Sequence, residues 1–167
     1  MNPNLSPPPL EDVVSVAPGA FHCVALRQDG NVVAWGSNAH GQLDIPVGVK
    51  DIAAVCSGRN HSLALTRSGL VIGWGLNRFG QVSVPESLNE VVMITAGRYH
   101  SLAMRSNGTV VAWGHNRFEQ CDVPVELKRV VNIFASDYCS MALKSNGSVV
   151  QWGASIKAPE QLAVGTA

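Results

Sequence analysis

Charged side chains are scarce in this chain of 167 residues: Asp, Glu, Lys and Arg make up 14% of it, and the formal net charge is zero. That balance argues against a basic surface of the kind that binds nucleic acid or an anionic membrane. Long apolar runs are also missing, since no segment approaches the roughly 20 apolar residues of a transmembrane helix. The N-terminus lacks the basic and apolar segments of a secretory signal. We therefore expect a cytoplasmic protein without nucleic-acid or membrane partners.

Paired cysteines and catalytic motifs are missing as well. The four cysteines form no C-x-x-C pair and occupy different positions, at Cys23, Cys56, Cys121 and Cys139. This pattern is typical of reduced, buried thiols. No G-x-S-x-G, H-E-x-x-H or phosphate-binding glycine loop occurs. We expect no enzymatic activity, no metal site and no cofactor.

The dominant feature that is present is a repeat of 39 residues. Every copy carries a Trp-Gly pair with another glycine five residues before the tryptophan, and the first three copies carry a histidine 13 residues before it. These positions are Trp35, Trp74, Trp113 and Trp152, with His22, His61 and His100; the fourth copy has Cys139 in place of histidine. One period shared by so many residue types predicts a repeat architecture. The units run about 11–49, 50–88, 89–127 and 128–167, after a tail at 1–10.

Each unit has the pattern of short β-strands. A β-branched run is followed by an alternating run, then by Asp-Gly, Ser-Gly or Asn-Gly, then by the strand that ends in Trp-Gly. Such dipeptides between strands predict a hairpin with a type I′ turn. A fourth short strand is predicted before Pro46, Pro85 and Pro124, where proline suits a sheet edge. Four antiparallel strands per unit predict an all-β chain built from β-propeller blades.

The repeated motifs G-x-x-H-S-x-A-L, D/N-G-x-V-x-x-W-G and W-G-x-N-x-x-G-Q resemble the regulator-of-chromosome-condensation repeat family. The short spacing is closest in style to bacterial members such as the propeller-type β-lactamase inhibitory proteins. The resemblance covers residues 11–153 and implies a propeller whose members usually close with seven blades. It does not imply nucleotide exchange on a small GTPase, which in the family depends on an inserted wedge that this chain lacks.

The repeated tryptophans and histidines are interpreted as scaffold. An aromatic residue at the end of an apolar strand is typical of the core. A metal site at the histidines is not expected, because equivalent residues of different blades are held apart whereas zinc needs its ligands at one point. We expect each histidine to hydrogen-bond backbone within its own blade.

Function is expected in the residues that differ between copies. Strand alternation places the loop after the first strand and the loop after Trp-Gly on one face, where arginine and aromatic residues concentrate. These types dominate interface hot spots. The alternative is that the aromatic residues only pack against neighbouring loops. The candidate partner-binding residues are Phe21, Arg59, Arg78, Phe79, Arg98, Tyr99, Arg117, Phe118 and Tyr138, and Ile156-Lys157 would complete this face in the fourth copy.

Four blades are too few for the ring that the resemblance implies. The terminal repeats carry no visible polar caps, which repeat arrays normally need, and exposed apolar faces mark association sites. We expect two chains to close an eight-bladed ring as a homodimer, with residues 1–10 completing a blade of the partner chain. An open arc within a larger assembly and a compact four-blade form remain alternatives.

These features predict a non-catalytic protein-binding module, an inhibitor or a scaffold, whose partner has an acidic protein surface. Two alternatives remain open. The chain could be a structural subunit that docks as an open four-blade arc. It could also be a carbohydrate-binding repeat protein, which would need exposed tryptophans.

Overall fold

The computed structural model describes residues 10–154. Over that range the chain forms twelve strands in four antiparallel sheets of three strands, one sheet per repeat, which confirms the all-β architecture of propeller blades. The strands of blades one and two are β1 (Val13–Pro18), β2 (His22–Arg27), β3 (Val32–Gly36), β4 (Ile52–Ser57), β5 (His61–Thr66) and β6 (Val71–Gly75). Those of blades three and four are β7 (Val91–Ala96), β8 (His100–Arg105), β9 (Val110–Gly114), β10 (Val130–Ala135), β11 (Cys139–Lys144) and β12 (Val149–Gly153). Nothing in residues 10–154 forms a helix that could cross a membrane.

The predicted hairpins form, but their turn type differs from the prediction. In blade one the amide of Gly30 donates to the carbonyl of Arg27 over 3.0 Å, and the amide of Arg27 donates to the carbonyl of Asn31 over 2.9 Å. Only Gly30 has a positive φ, at 82°. This is a type I turn followed by a left-handed glycine, whereas a type I′ turn needs two residues with positive φ. The side chain of Asp29 accepts a hydrogen bond from the Asn31 amide over 2.9 Å, and this bond stabilises the turn.

The predicted fourth strand does not form in the three blades where its residues are described. In blade one the side chain of Asn38 accepts the amide of Leu43 over 2.8 Å, and the amide of Ile45 donates to the carbonyl of Leu43 over 2.9 Å. Local bonds therefore use backbone groups that a sheet would need, and Pro46 has no amide to donate. The segment forms turns instead of an edge strand.

The hydrophobic core lies between neighbouring blades. We call the side of a blade that faces the next repeat its leading face and the opposite side its trailing face. Three apolar clusters each join one leading face to the following trailing face. The first joins Ala17, Val24 and Leu26 of blade one to Ile52, Val55, Ala64 and Trp74 of blade two. Each blade is thus stabilised mainly by its neighbours, as expected for a repeat array.

Two parts of the sequence interpretation lie outside the described residues. One is the role of residues 1–9 of the tail in completing a blade. The other is the contribution of Ile156-Lys157 to the loop face of the fourth copy.

Glu119 occupies a left-handed position that glycine fills in the first two copies. Its φ is 63°, and Gly41 and Gly80 have φ values of 75° and 78°. We expect Glu119→Gly to raise the free energy of unfolding by about 0.5–1 kcal/mol, because relief of left-handed strain exceeds the added entropy of the unfolded chain. Urea unfolding measures the change, and Glu119→Ala, which removes the charge but keeps the strain, is the matched control. Equal stability of the two variants would refute the strain argument.

Candidate protein-binding face

Two sets of loops meet at one end of the blades. The antiparallel sheets bring the loop after the first strand beside the segment that follows Trp-Gly. One backbone hydrogen bond per blade joins them: the amides of Ser37, Leu76, His115 and Ala154 donate to the carbonyls of Phe21, Asn60, Tyr99 and Tyr138 over 2.8–2.9 Å. We call this end the loop face. It holds all nine predicted partner-binding residues.

Backbone hydrogen bonds also connect the loop face from blade to blade. The amide of Ala20 donates to the carbonyl of Arg59, and the amide of Arg59 donates to the carbonyl of Arg98, both over 3.3 Å. The amide of Arg98 donates to the carbonyl of Asp137 over 3.2 Å. The same loops line an open groove of about 330 Å³. These hydrogen bonds therefore fix the spacing between the loops that follow the first strand of each blade.

Five rings form one cluster over blades two to four. Phe79 lies 5.4 Å from Tyr99 and 4.7 Å from His115, and Phe118 lies 5.0 Å from Tyr138, measured between ring centroids. His115 also contacts Tyr99, Phe118 and Tyr138 at 6.0–6.3 Å. These separations are within the range of favourable aromatic pairs. Phe79 and Phe118 remain 37% and 43% exposed, so the rings pack against each other and still present an apolar surface.

His115 is the residue of this cluster that the sequence interpretation missed. It follows directly after Trp113-Gly114, at a position that holds Ser37, Leu76 and Ala154 in the other copies. The variation of the residue at this position was the sequence signal that could have identified His115. Phe21, by contrast, is 57% exposed and lies in blade one, where its ring contacts the guanidinium of Arg59.

Three arginines of the loop face, Arg59, Arg78 and Arg98, lie over aromatic rings. The guanidinium carbon of Arg59 is 5.4 Å from the centroid of Phe21, and that of Arg78 is 5.6 Å from the centroid of Phe79. Arg98 contacts both Tyr99 and Tyr138 at 5.5 Å. These distances permit cation–π attraction. Each contact orders a long side chain while leaving its charge near the surface.

One of the arginines is already paired with a carboxylate. Arg98 forms a 3.7 Å ion pair with Asp137, and a hydrogen bond with the Tyr99 side chain, followed by the charges nearby, raises the pKa of Arg98. Within the described residues, Arg59, Arg78 and Arg117 form no salt bridge. The positive charge available to a partner is therefore that of these three arginines, and Glu119 and Asp122 are acidic residues of the same loop as Arg117.

The histidines couple adjacent blades, which corrects the expectation that each bonds backbone within its own blade. The Nε2 atom of His22 lies 2.8 Å from Oγ of Ser62, and the pairs His61–Ser101 and His100–Ser140 repeat this at 3.2 and 3.0 Å. The serines of these pairs belong to the following blade. These buried serines are a further set that the sequence interpretation missed.

The tryptophans couple adjacent blades in a similar way. The indole Nε1 of Trp74 donates to the backbone carbonyl of Gln42 over 3.0 Å, and Trp113 and Trp152 donate in the same way to Gln81 and Gln120. These three tryptophans are buried, and Trp35 is half-buried. The side chains of the three glutamines in turn accept amides of the loop face at His40, Phe79 and Phe118. The scaffold therefore positions the variable loops directly.

Burial changes the titration of the histidines. It lowers the pKa of His61 to about 3, assisted by repulsion from His100 and His22 and partly opposed by a hydrogen bond with the His100 backbone. Burial also lowers the pKa of His100 to about 4 and, to a smaller extent, that of His22. These side chains are neutral at physiological pH, which suits a structural role.

The cysteines within residues 10–154 are free thiols. Burial raises the pKa of Cys56 and raises that of Cys121 to about 12, so both are poor nucleophiles at neutral pH. Among the described residues, no group of three or more His, Cys, Asp or Glu side chains could hold a metal ion.

The sequence model of the Regulator of chromosome condensation (RCC1) repeat matches residues 13–42, 49–81 and 91–120. Human E3 ubiquitin-protein ligase HERC2 is 57% identical over 30 residues, which are 18% of this chain and 1% of that protein.

Solved structures share the fold of the chain. Prp20p of Saccharomyces cerevisiae, whose structure is described together with its binding properties to Gsp1p and histones, has a TM-score of 0.74 at 24% identity, over 84% of this chain and 45% of Prp20p. The ectodomain of the receptor kinase CR4 from Physcomitrella patens has a TM-score of 0.74 at 23% identity, over 87% of this chain and 42% of the ectodomain. The chain therefore spans less than half the length of these two structures.

Proposed function

The chain belongs to the Regulator of chromosome condensation (RCC1) repeat family, and from that premise we propose that it is a non-catalytic protein-binding module whose loop face holds an acidic protein surface. The observation that carries the proposal is the joint placement of exposed rings and unpaired guanidinium groups on one face. Aromatic residues and arginine supply most of the binding energy in protein interfaces. The rings and the groove are also held by a rigid scaffold, which reduces the entropy lost on binding.

The preference for an acidic partner follows from the charges of the loop face. Arg59, Arg78 and Arg117 form no salt bridge among the described residues. Glu119 and Asp122 lie in the same loop as Arg117, and Asp122 already accepts a hydrogen bond from the Asn116 side chain. Arginine side chains without an ion-pair partner attract carboxylates and repel basic proteins. The relative Prp20p, described by its binding to Gsp1p and histones, supports a protein as the class of ligand.

The carbohydrate-binding alternative is not favoured by the tryptophans. Trp74, Trp113 and Trp152 are 4%, 7% and 8% exposed. A buried indole cannot stack on a sugar ring.

Differential peptide selection tests the loop face. Random 12-residue peptides are selected against the immobilised chain, and each binder is measured against Arg78→Ala/Phe79→Ser/Arg117→Ala/Phe118→Ser. We expect peptides rich in Asp and Glu that lose affinity about 100-fold or more in the variant, because four hot-spot types are removed together. Their affinity should also fall with salt.

A control variant changes four side chains at the opposite end of the blades. The variant Arg67→Ala/Leu70→Ser/Val125→Ser/Lys128→Ala replaces two basic and two exposed apolar side chains there. It should keep full peptide affinity. Basic or neutral binders, or equal losses in the two variants, would overturn the proposal.

For assembly, we propose the eight-bladed ring of two chains. It is supported by the apolar side faces of blades one and four, each of which lacks a neighbouring blade on one side among residues 10–154. A structural subunit that docks as an open arc is the competing outcome. The mass of the chain in solution separates the two, because only the ring predicts a discrete dimer.

A further inference from the structure

The trailing face of blade one is more exposed than its copies. Val16 is 50% exposed, whereas the equivalent Val55, Ile94 and Ile133 are 9%, 8% and 3% exposed because a preceding blade covers them. Trp35 is likewise half-buried where the other three tryptophans are buried.

The leading face of blade four shows the matching difference. Phe134 is 44% exposed, whereas the equivalent Ala17 of blade one is 8% exposed. Val149 is 60% exposed, and the equivalent Val110 of blade three is 7% exposed. Among the described residues, blades one and four therefore expose two unlike apolar faces whose copies pack against each other at three internal junctions.

Exposure at Val14 has a different origin. Val14 is 60% exposed, and its copies Val92 and Val131 are also 52% and 48% exposed, although Val92 lies in a blade with neighbours on both sides and blade three precedes Val131. This position points away from the junctions in every blade. It therefore offers a matched control for Val16 on the same strand.

We propose that the leading face of blade four docks on the trailing face of blade one of a second copy, in the register of the internal junctions. This deepens the ring proposed above, because it assigns the contacting residues and makes each junction head-to-tail. Two such junctions close a twofold ring, and the partner is a second copy because the three internal junctions show these two faces to be complementary.

The hydrogen bond of the internal junctions is altered on both sides of this terminal junction. Cys139 stands where the histidine of each pair stands in blades one to three, and Cys23 stands where Ser62, Ser101 and Ser140 stand. Loss of one partner alone would leave a buried polar group unsatisfied, whereas replacing both partners together costs little. Because both partners are replaced, the terminal junction can form without this hydrogen bond and leaves no buried polar group unsatisfied.

A third change makes the terminal junction weaker than the internal ones. Ser136 replaces the glycine found at Gly19, Gly58 and Gly97, and a Cβ atom at Gly19 would lie 2.7 Å from the carbonyl oxygen of Gly58 in the next blade. The second copy therefore cannot approach the loop end of blade four as closely as an internal blade does. The junction between chains is expected to dissociate before the blades unfold.

Light scattering and sedimentation of surface variants test the docking. Val16→Glu and Phe134→Glu should each raise the dimer dissociation constant more than about 100-fold, because each places a charge in both junctions of the ring. Val14→Glu should leave it unchanged. Because all three positions are exposed, the unfolding midpoints should stay near that of the parent chain.

Mixing the two charged variants tests the head-to-tail arrangement. The pair can form one junction with both native faces, so the mixture should dimerise although neither variant does alone. If Val16→Glu alone stays dimeric, or the mixture stays monomeric, the arrangement is overturned. A parent chain that is monomeric at every concentration overturns both this proposal and the ring, and leaves the loop-face proposal standing.

Restoring the internal hydrogen bond tests the register. The triple variant Cys23→Ser/Ser136→Gly/Cys139→His rebuilds the internal motif, and a buried hydrogen bond at each of two junctions should tighten the dimer about ten-fold or more. Cys139→His without Ser136→Gly should not tighten the dimer, because the imidazole introduced at position 139 would collide with the Cβ atom of Ser136. A dimer that the triple variant leaves unchanged would refute the register while retaining the ring.

Discussion

Replacing Gly97 with alanine is expected to lower the free energy of unfolding by about 3 kcal/mol or more. A Cβ atom at this position would lie 2.5 Å from Nδ1 of His100 and would press on the carbonyl oxygen of Ser136. Neither neighbour can yield easily. His100 is 0% exposed and bonds Ser140, and the carbonyl belongs to the backbone of the next blade. Denaturant unfolding measures the loss.

Blade four supplies the control for this prediction. Ser136 occupies the equivalent position and already carries a Cβ atom, because Cys139 is smaller than histidine and no described blade follows it. Ser136→Ala should therefore change stability by less than about 0.5 kcal/mol. Similar losses for Gly97→Ala and Ser136→Ala would show that the histidine and the next blade do not restrict this position.

Acidification is expected to destabilise the fold well before its carboxylates titrate. The pKa of His61 falls to about 3 and that of His100 to about 4 in the folded chain, from 6.5 in an unfolded one. The unfolded state therefore binds more protons below pH 6.5, and stability is lost as pH falls from there towards 4. Each of the two histidines removes about 2–3 kcal/mol between pH 6.5 and 4.5.

Urea unfolding at pH 7.0, 5.5 and 4.5 measures this loss. The variant His61→Gln/His100→Gln is less stable at pH 7, but its stability should change much less across the window because the titrating groups are gone. This pH range also lies above the titration of Asp29. Hydrogen bonds from Asn31 lower the pKa of Asp29 from 3.8, so its contribution to stability is lost only at lower pH. A parent chain equally stable at pH 7.0 and 4.5 would contradict the assignment.

The sequence predicted the parts of the fold that depend on local pattern. Alternating apolar residues and turn dipeptides located all three strands of each blade, and strand direction was enough to place Arg78 and Tyr99 on the same face. The predicted turn type and the predicted fourth strand were wrong, because both features depend on specific local hydrogen bonds. Asn38 and Leu43 are an example, since their bond satisfies backbone groups that a strand would otherwise pair.

Contacts between blades could not be predicted from the period. The repeat shows that position 61 is constrained, but the partner Ser101 lies 40 residues away in another sheet, and nothing in one repeat indicates its direction. The same holds for His115, which contacts four other rings that come from three blades. Packing between repeats decides these contacts, and it becomes visible only when the blades are placed side by side.

Mapping of an acidic ligand onto the loop face tests the central claim most directly. The probe is a synthetic ten-residue peptide of alternating Glu and Phe, with a Lys–Phe peptide of the same length as the control, titrated into isotope-labelled chain and followed by amide chemical shifts. The account predicts shifts centred on residues 59, 78–79, 98–99 and 115–118 for the Glu–Phe peptide alone. Shifts at the opposite turns around residues 67–70 and 125–128, or equal shifts with the Lys–Phe peptide, would contradict it.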